Sequence, residues 1–114
     1  MGIDGNFWSG RRALMTGNTG FKGSWLSLWL RDLGAEVAGL APGPPTTPSL
    51  YELAGLADDI PQAAIDIRDH EGVIDAVRHH RPEVVIHMAA QPLVRESFVA
   101  PRETYEVNVM GTVN

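Results

Sequence analysis

Hydrophobic and polar positions of this chain alternate in a way that predicts strands and helices in turn. The short apolar run 12–16 ends abruptly at Gly17, which favours a buried strand over a helix. Over residues 21–33, apolar side chains recur three and four positions apart and stop before a glycine, which predicts a helix buried on more than one side. Trp25 and Trp29 stand four residues apart in this helix, and we expect both to pack in the core.

The rest of the chain continues the alternation. Further elements are predicted in this order: a strand at 36–40, a proline-rich loop at 41–48, a strand at 63–67, a helix at 69–80, a fourth and central strand at 83–88, and a helix from 101 onward. Near-continuous apolar strands linked by helices imply parallel pairing, with helices on both faces of the sheet. The predicted fold class is therefore α/β: a Rossmann-type doubly wound parallel sheet, N-terminal half, of about four strands with crossover helices.

Composition restricts the partners of such a fold. The chain has 114 residues, enough for one core, with 44% hydrophobic and 20% charged residues as in ordinary globular domains without a membrane span. A net charge of −5 argues against a nucleic-acid partner, because phosphate backbones are bound by clustered Lys and Arg. Cysteine is absent, and residues 1–8 lack the basic and apolar stretches of a signal peptide, so we expect a cytoplasmic protein.

A glycine-rich segment joins the first predicted strand to the first predicted helix. We call residues 17–23 the glycine turn, in which glycines occur at every third position. Gly17 permits the tight bend, Gly20 lets the backbone approach a pyrophosphate, and Gly23 allows close helix–strand packing. Turns also use glycine where nothing binds, but the location between a strand and a helix favours dinucleotide binding. Lys22 is interpreted either as a phosphate contact or as a solvated helix residue.

Longer motifs resemble a known family. Thr-Gly-x-x-Gly-x-x-Gly at the turn is similar to the extended short-chain dehydrogenases. Four blocks resemble the CDP-glucose 4,6-dehydratase family in particular: Thr16 to Leu26, Asp66 to Asp69, His87 to Arg95, and Asn108 to Thr112. The resemblance implies an NAD-dependent lyase that oxidises C4 of a nucleotide sugar, eliminates water across C5 and C6, and returns the hydride to C6. It also implies that residues 1–114 form one NAD(P)-binding Rossmann domain, truncated inside the helix after the fourth strand.

The same resemblance assigns cofactor-binding residues. It implies that Gly17, Thr19, Gly20, Phe21, Lys22 and Gly23 lie at the pyrophosphate, Asp66 and Ile67 at the adenine, and Ala89, Ala90 and Gln91 at the ribose and nicotinamide, with Asn108 either a ligand or a structural hydrogen-bonding residue behind the site. All of these groups follow predicted strands, where ligands of open α/β sheets bind. His87 is interpreted as a core histidine satisfied by hydrogen bonds.

Two positions depart from the family pattern. Asn18 stands where the family has histidine, a change we expect to be mild because asparagine also tolerates turn geometry. The end of the second strand, residues 40–42, offers neither an acid for a ribose 2′-hydroxyl nor an arginine for a 2′-phosphate. The preference for NAD over NADP therefore rests on the resemblance alone.

No catalytic residue is expected in this chain. The family uses a Tyr-x-x-x-Lys pair, but Lys22 is the only lysine, and neither Tyr51 nor Tyr105 has a lysine four residues later. No metal site is expected either, because the adjacent His79 and His80 cannot share a helix face.

Alternatives remain open at the level of function. The chain belongs either to a CDP-glucose dehydratase, or to another nucleotide-sugar enzyme of the superfamily, such as an epimerase or a dTDP- or GDP-sugar dehydratase. A non-catalytic dinucleotide-binding regulator is the third alternative. The expected partners are a nucleotide sugar, with CDP-glucose favoured, and further copies of the full-length protein in a homo-oligomer.

Overall fold

A computed structural model describes residues 3–114, and residues 1 and 2 of the predicted domain lie outside the described part. The elements follow in this order: helix α1 (Gly5–Trp8), strand β1 (Arg12–Thr16), α2 (Phe21–Asp32), β2 (Glu36–Leu40), α3 (Leu50–Leu53), α4 (Leu56–Asp59), β3 (Gln62–Ala63), α5 (His70–His80), β4 (Val84–His87), α6 (Val94–Val99), α7 (Pro101–Tyr105), a π-helical segment (Glu106–Met110) and α8 (Gly111–Val113). None of the helices within residues 3–114 is both long and apolar enough to cross a membrane.

The four strands form one parallel sheet in the order β3-β2-β1-β4. Strand β1 lies between two partners, with Leu14 opposite Ala38 on one side and Val85 on the other. The chain moves outward from β1 to β2 and β3 and then returns to the other side of β1 as β4. The strand order thus reverses between β1 and β4, and the predicted fold class, a four-stranded Rossmann-type sheet, is confirmed.

Alternate residues of β1 enter two separate hydrophobic cores, because successive side chains of a strand point to opposite faces. Met15 lies on one face and is fully buried, and Leu14 lies on the other and is 1% exposed. The buried members of the first core are Met15, Leu30, Ala35, Val37, Tyr51, Leu56 and Ile60. Those of the second are Leu14, Ala38, Leu40, Ile67, Val73 and Ala76. Helices therefore cover both faces of the sheet, as a doubly wound fold requires.

The third strand is much shorter than predicted. A strand was expected over 63–67, but β3 contains only two residues, opposite Gly39 and Leu40 of β2. Strand β2 ends at Leu40, so residues after Ala63 find no backbone to pair with. The Asp66 carboxylate then accepts the Arg68 backbone N–H, which bends the chain into a turn. Ile67, expected at the end of the strand, accordingly lies in this turn.

The fourth strand is an edge strand among the described elements, so the prediction of a central strand is wrong for this part of the sheet. Val85 is 53% exposed, and His87 is also exposed rather than in the core as expected. The apolar sequence of β4 is the kind expected for a central strand. Within residues 3–114, however, no strand covers its outer edge.

Helix α2 packs through small side chains, which corrects the expected burial of its tryptophans. Gly23, Ser24 and Ser27 are buried against β1, with the Ser27 hydroxyl 3.4 Å from the Met15 sulfur. Such close packing leaves no room for indole rings. The two tryptophans consequently lie on the outer flank of the helix, 56% and 51% exposed, in a groove of about 560 Å³ that Met88 also lines.

Candidate cofactor site

The glycine turn lies at the carboxyl end of β1, beside the end of β4. Gly17 adopts a φ of +72°, which glycine adopts without strain, and its N–H donates to the Leu40 carbonyl at 2.9 Å. Gly20 N–H then donates back to Gly17 O at 3.2 Å, closing the bend. The turn therefore opens helix α2 at the position where the strand order reverses, where ligands of such sheets bind.

Two of the three glycines are required by the packing of the protein itself. A Cβ atom on Gly17 would lie 2.8 Å from the Ala89 nitrogen and 2.9 Å from the Met88 carbonyl carbon. A Cβ on Gly23 would collide with the carbonyl oxygen of Gly17 and lie 2.8 Å from the Asn18 Cα. These neighbours are backbone atoms and cannot rotate away, so both positions exclude any side chain.

Gly20 differs, because the protein leaves space beside it. The nearest atom to a Cβ placed there is Gly17 O at 3.5 Å, an ordinary contact, and its φ of −75° suits any residue. Gly20 is also the N-cap of α2, and no side chain caps that helix end. The first N–H groups of a helix lack partners within the helix and carry a partial positive charge. This combination forms an open cradle suited to an anion.

Within the glycine turn, Thr19 is directed inward, whereas Phe21 and Lys22 face solvent. Thr19 is 4% exposed, and its hydroxyl donates to the Gly43 carbonyl at 2.7 Å, which ties the proline-rich loop to the turn. Phe21 is 71% exposed. Lys22 is exposed and lines the groove beside Trp25, which supports the solvated alternative for this lysine.

Asn18 lies fully buried beneath the turn, a role that the sequence did not indicate. Its Nδ2 donates to Gln62 Oε1 at 2.7 Å, and the Gln62 amide nitrogen in turn lies 3.3 Å from the Ala41 carbonyl oxygen. The Asn18 amide packs directly on the backbone of Gly39. Asn18 Oδ1 has no hydrogen-bond partner in the described part of the chain. Asparagine thus joins the turn to the ends of β2 and β3.

Thr16 is a second residue whose part was missed. Its hydroxyl oxygen accepts the backbone N–H groups of Met88 at 3.0 Å and Ala89 at 3.1 Å. The last residue of β1 thereby fastens the segment after β4 to the start of the glycine turn. The signal in the sequence was a threonine at a strand end directly before a turn glycine, a motif position to which no role had been assigned.

The segment after β4 is shaped by amide hydrogen bonds. Asn108 Oδ1 accepts the Gln91 N–H at 2.8 Å, and Asn108 Nδ2 donates to Gln91 O at 3.1 Å, so Asn108 has the structural hydrogen bonds expected of it. The Gln91 side chain bonds the Leu93 N–H at 2.6 Å and the Thr104 hydroxyl at 3.0 Å. Both the backbone and the side chain of Gln91 therefore form hydrogen bonds within the protein.

Asp66 and Arg68 form the polar part of the turn after β3. We call residues 66–69 the Asp66 turn. Arg68 Nη2 lies 2.7 Å from one Asp66 oxygen and Arg68 Nε lies 2.9 Å from the other, and Glu103 is a further partner of Arg68 at 3.6 Å. The hydrogen bonds from the guanidinium lower the pKa of the Asp66 carboxyl. Ile67 is buried against Gly111, where a Cβ would lie 2.6 Å from Ile67 Cγ2.

These residues divide into two groups at the carboxyl edge of the sheet. The glycine turn and Ala89 are in direct contact between β1 and β4, whereas the Asp66 turn follows β3 on the other side of β2. No cluster of three metal-ligating side chains occurs within residues 3–114. Chemically, the arrangement provides an uncapped helix end for an anion and, further along the same edge, a carboxylate.

The parallel sheet, its reversal between β1 and β4, and the glycine turn at that point define a Rossmann-type α/β protein. A profile of the family described as GDP-mannose 4,6 dehydratase matches residues 14–114. The chain belongs to this family of sugar-nucleotide enzymes.

Relatives of known activity agree with this membership. CDP-glucose 4,6-dehydratase of Salmonella typhimurium is 55% identical over 112 residues, 98% of this chain and 31% of the relative. UDP-glucose 4-epimerase of Halalkalibacterium halodurans is 37% identical over 87% of this chain and 28% of its own length. The resemblance to CDP-glucose 4,6-dehydratases is confirmed, and the chain spans about a third of the length of such relatives.

Solved structures have the same fold. UDP-glucose 4-epimerase of Thermus thermophilus, in complex with NAD, superimposes with a TM-score of 0.78 at 36% identity, covering 90% of this chain and 31% of that one. The Thermotoga maritima UDP-glucose 4-epimerase with UDP-glucose gives a TM-score of 0.78 at 28% identity, covering 89% and 31%.

Proposed function

We propose that this chain is the cofactor-binding part of an NAD-dependent dehydratase that converts CDP-glucose to CDP-4-keto-6-deoxyglucose and water. The observation that carries the proposal is the 55% identity to the Salmonella CDP-glucose 4,6-dehydratase over 98% of the chain. The epimerase relative reaches only 37% over a similar length, so the dehydratase is favoured.

The open cradle at Gly20 supports NAD as the cofactor. A pyrophosphate there would meet the uncapped N–H groups of α2 without a Cβ in the way. We assign the backbone of the glycine turn to the pyrophosphate, Asp66 and Ile67 to the adenine side, and Ala89 and Ala90 to the ribose and nicotinamide side. The NAD complex of the Thermus epimerase, with the same fold, supports this choice.

The contribution of this chain to the reaction is binding and orientation. Bound NAD supplies the hydride acceptor for C4 oxidation and the hydride that returns to C6. The glycine turn fixes the diphosphate, and the segment after β4 limits the position of the nicotinamide side. A Tyr-x-x-x-Lys pair is absent from this sequence, so we assign the proton-transfer chemistry to another part of the intact enzyme.

A UDP-sugar 4-epimerase is the second candidate, because both solved structures compared above are UDP-glucose 4-epimerases. Both reactions begin with hydride removal from C4, and this chain carries nothing that distinguishes the later steps. We further propose a homo-oligomeric, cytoplasmic enzyme. The exposed apolar side chains on α6, among them Phe98 and Val99 at 82% and 80%, support an interface there.

Incubation of the intact enzyme with CDP-, dTDP-, UDP- and GDP-glucose tests the proposal. We expect the 4-keto-sugar chromophore with CDP-glucose and far less with the other three. Formation of UDP-galactose from UDP-glucose, with no keto product from any sugar, would support the epimerase instead. Absence of turnover with all four, together with no Tyr-x-x-x-Lys in the complete gene, would leave the non-catalytic regulator.

A further inference from the structure

A chain of hydrogen bonds runs from the end of β1 to the last helix, with His87 at its middle. Thr16 Oγ1 lies 2.7 Å from His87 Nδ1, and His87 Nε2 lies 3.0 Å from Thr112 Oγ1. The Thr112 hydroxyl donates to the Asn108 carbonyl at 2.7 Å. These hydrogen bonds therefore connect Thr16, directly before the glycine turn, to Asn108, whose side chain holds Gln91.

The hydrogen bond with Thr16 determines whether Nδ1 of the imidazole carries a proton. A threonine hydroxyl has one hydrogen to donate and two lone pairs to accept with. The Ala89 N–H lies on one lone pair and the Met88 N–H, which the Thr16 carbonyl oxygen shares at 3.2 Å, lies on the other. The hydroxyl hydrogen is therefore the part directed at His87, so Nδ1 accepts and carries no proton.

The hydrogen bond with Thr112 independently determines whether Nε2 carries a proton. The Thr112 hydrogen is committed to the Asn108 carbonyl, which has no hydrogen of its own to give. Thr112 can only accept from His87, so Nε2 must carry the proton. Both ends thus require the same neutral Nε2–H tautomer.

We propose that His87 is a positioning residue for the cofactor and acts through Thr16. By accepting the Thr16 hydrogen, it turns the lone pairs of that hydroxyl toward Met88 and Ala89, which holds the segment after β4 against the glycine turn. The tight fit between Gly17 and Ala89 makes this alignment necessary. The inference rests on the proposed function, because this segment is the one we assign to the ribose and nicotinamide side.

His87→Asn and His87→Gln distinguish a role of His87 in orienting the Thr16 hydroxyl from a role in packing. The carbonyl oxygen of an asparagine side chain reaches the position of Nδ1, whereas that of glutamine reaches the position of Nε2. In the intact enzyme, we expect His87→Asn to keep NAD affinity within about twofold and His87→Gln to weaken it about three- to tenfold, the worth of one hydrogen bond. A role in packing alone predicts the reverse order, because glutamine fills more of the histidine volume.

Calorimetric titration with NAD measures these affinities, and His79→Asn and His79→Gln serve as controls. His79 is exposed at the end of α5 and is outside the hydrogen-bond chain, so neither control should change NAD affinity. Equal affinities for His87→Asn and His87→Gln, or tighter binding by His87→Gln, would overturn the proposal.

The tautomer of the unmodified enzyme gives a second test that does not depend on the folding of a variant. Nitrogen NMR of the histidine-labelled protein, at a pH at which the imidazoles are neutral, should show His87 with Nε2 protonated and Nδ1 bare. A protonated Nδ1 would overturn the proposal even if NAD binds. Failure of the unmodified enzyme to bind NAD would instead refute the proposed function, so the two failures are distinguishable.

Discussion

The glycine turn and the Asp66 turn lie at the same edge of the sheet but are held in place by different forces. Backbone atoms define the glycine turn: Gly17 and Gly23 are packed against backbone carbonyl, amide and Cα atoms. Side-chain charges define the Asp66 turn, whose carboxylate and guanidinium are 38% and 39% exposed. The first should therefore resist changes of solvent and tolerate no substitution at its packed glycines, whereas the second should tolerate substitution and respond to pH.

The largest effect is expected from Gly17→Ala. The new Cβ would meet backbone of Met88 and Ala89 below 3 Å, and alanine is strained at this positive φ. Overpacking and the left-handed conformation together should destabilise the intact enzyme by about 3 kcal/mol or more in chemical unfolding. Gly55→Ala is the matched control: its φ is +62° but its Cβ would meet nothing within 4 Å, so about 1 kcal/mol is expected. Equal losses for both variants would show that the packing of the turn is not tight.

Gly20→Val should affect binding and leave folding intact. A valine Cβ at this position makes only an ordinary contact with Gly17 O, so the unfolding free energy should change by less than about 1 kcal/mol. The branched side chain would fill the cradle, and NAD affinity should fall roughly 100-fold, a steric loss near 3 kcal/mol. Calorimetry of the intact enzyme measures both quantities. Unchanged NAD affinity would refute the placement of the pyrophosphate at the turn.

The glycine turn was predictable because its requirements are local. A bend, a close ligand approach and a tight helix contact each need a glycine at a fixed step along the chain, so the spacing, together with the location between a strand and a helix, predicts all three. The boundaries of β1 and β2 matched the prediction for a similar reason: β1 ends at a glycine, and β2 ends just before the proline-rich loop. Helix α5 was also predicted within one residue, because Asp69 is its N-cap.

The features that were missed depend on contacts between distant parts of the sequence. The extent of β3 depends on where its partner β2 ends, and the exposure of Trp25 depends on how closely Ser27 approaches β1. Thr16 and Ala89 are 73 residues apart, and Asn18 and Gln62 are 44 apart. No periodicity within a single element reports such pairs. The four-residue helices α1, α3 and α4 were missed because they are too short to show a period.

Thr19→Val tests whether side-chain bonds also contribute to the glycine turn. Valine has the shape of threonine but leaves the half-buried Gly43 carbonyl without its donor, which should reduce the unfolding free energy by about 1 kcal/mol. Thr46→Val is the matched control, since the Thr46 hydroxyl also donates to a carbonyl, that of Pro48, but is exposed to water. Equal losses of unfolding free energy in the two variants would mean that the Thr19 hydrogen bond contributes no more to stability than the exposed Thr46 bond.

The smallest effect is expected from Asp66→Asn, measured as a function of pH. Asparagine keeps the side-chain oxygen that accepts the Arg68 N–H and removes the charge that pairs with the guanidinium. Because the hydrogen bonds from Arg68 lower the pKa of Asp66 in the folded state, its ionised form is stabilised by folding. This contribution is fully present above the ordinary aspartate pKa and is lost as the pH falls through the lowered folded value.

Wild type should therefore exceed Asp66→Asn in unfolding free energy by less than about 1 kcal/mol at neutral pH, as for other half-exposed ion pairs. The difference should disappear under acid conditions below the ordinary carboxyl range, and added salt should reduce it at neutral pH because the pair is exposed to solvent. Gly17→Ala provides the contrast, since its loss comes from steric overlap and should be the same at both pH values and both salt concentrations. A pH-independent difference for Asp66→Asn would mean that the Asp66 turn, like the glycine turn, is held by packing and not by charge.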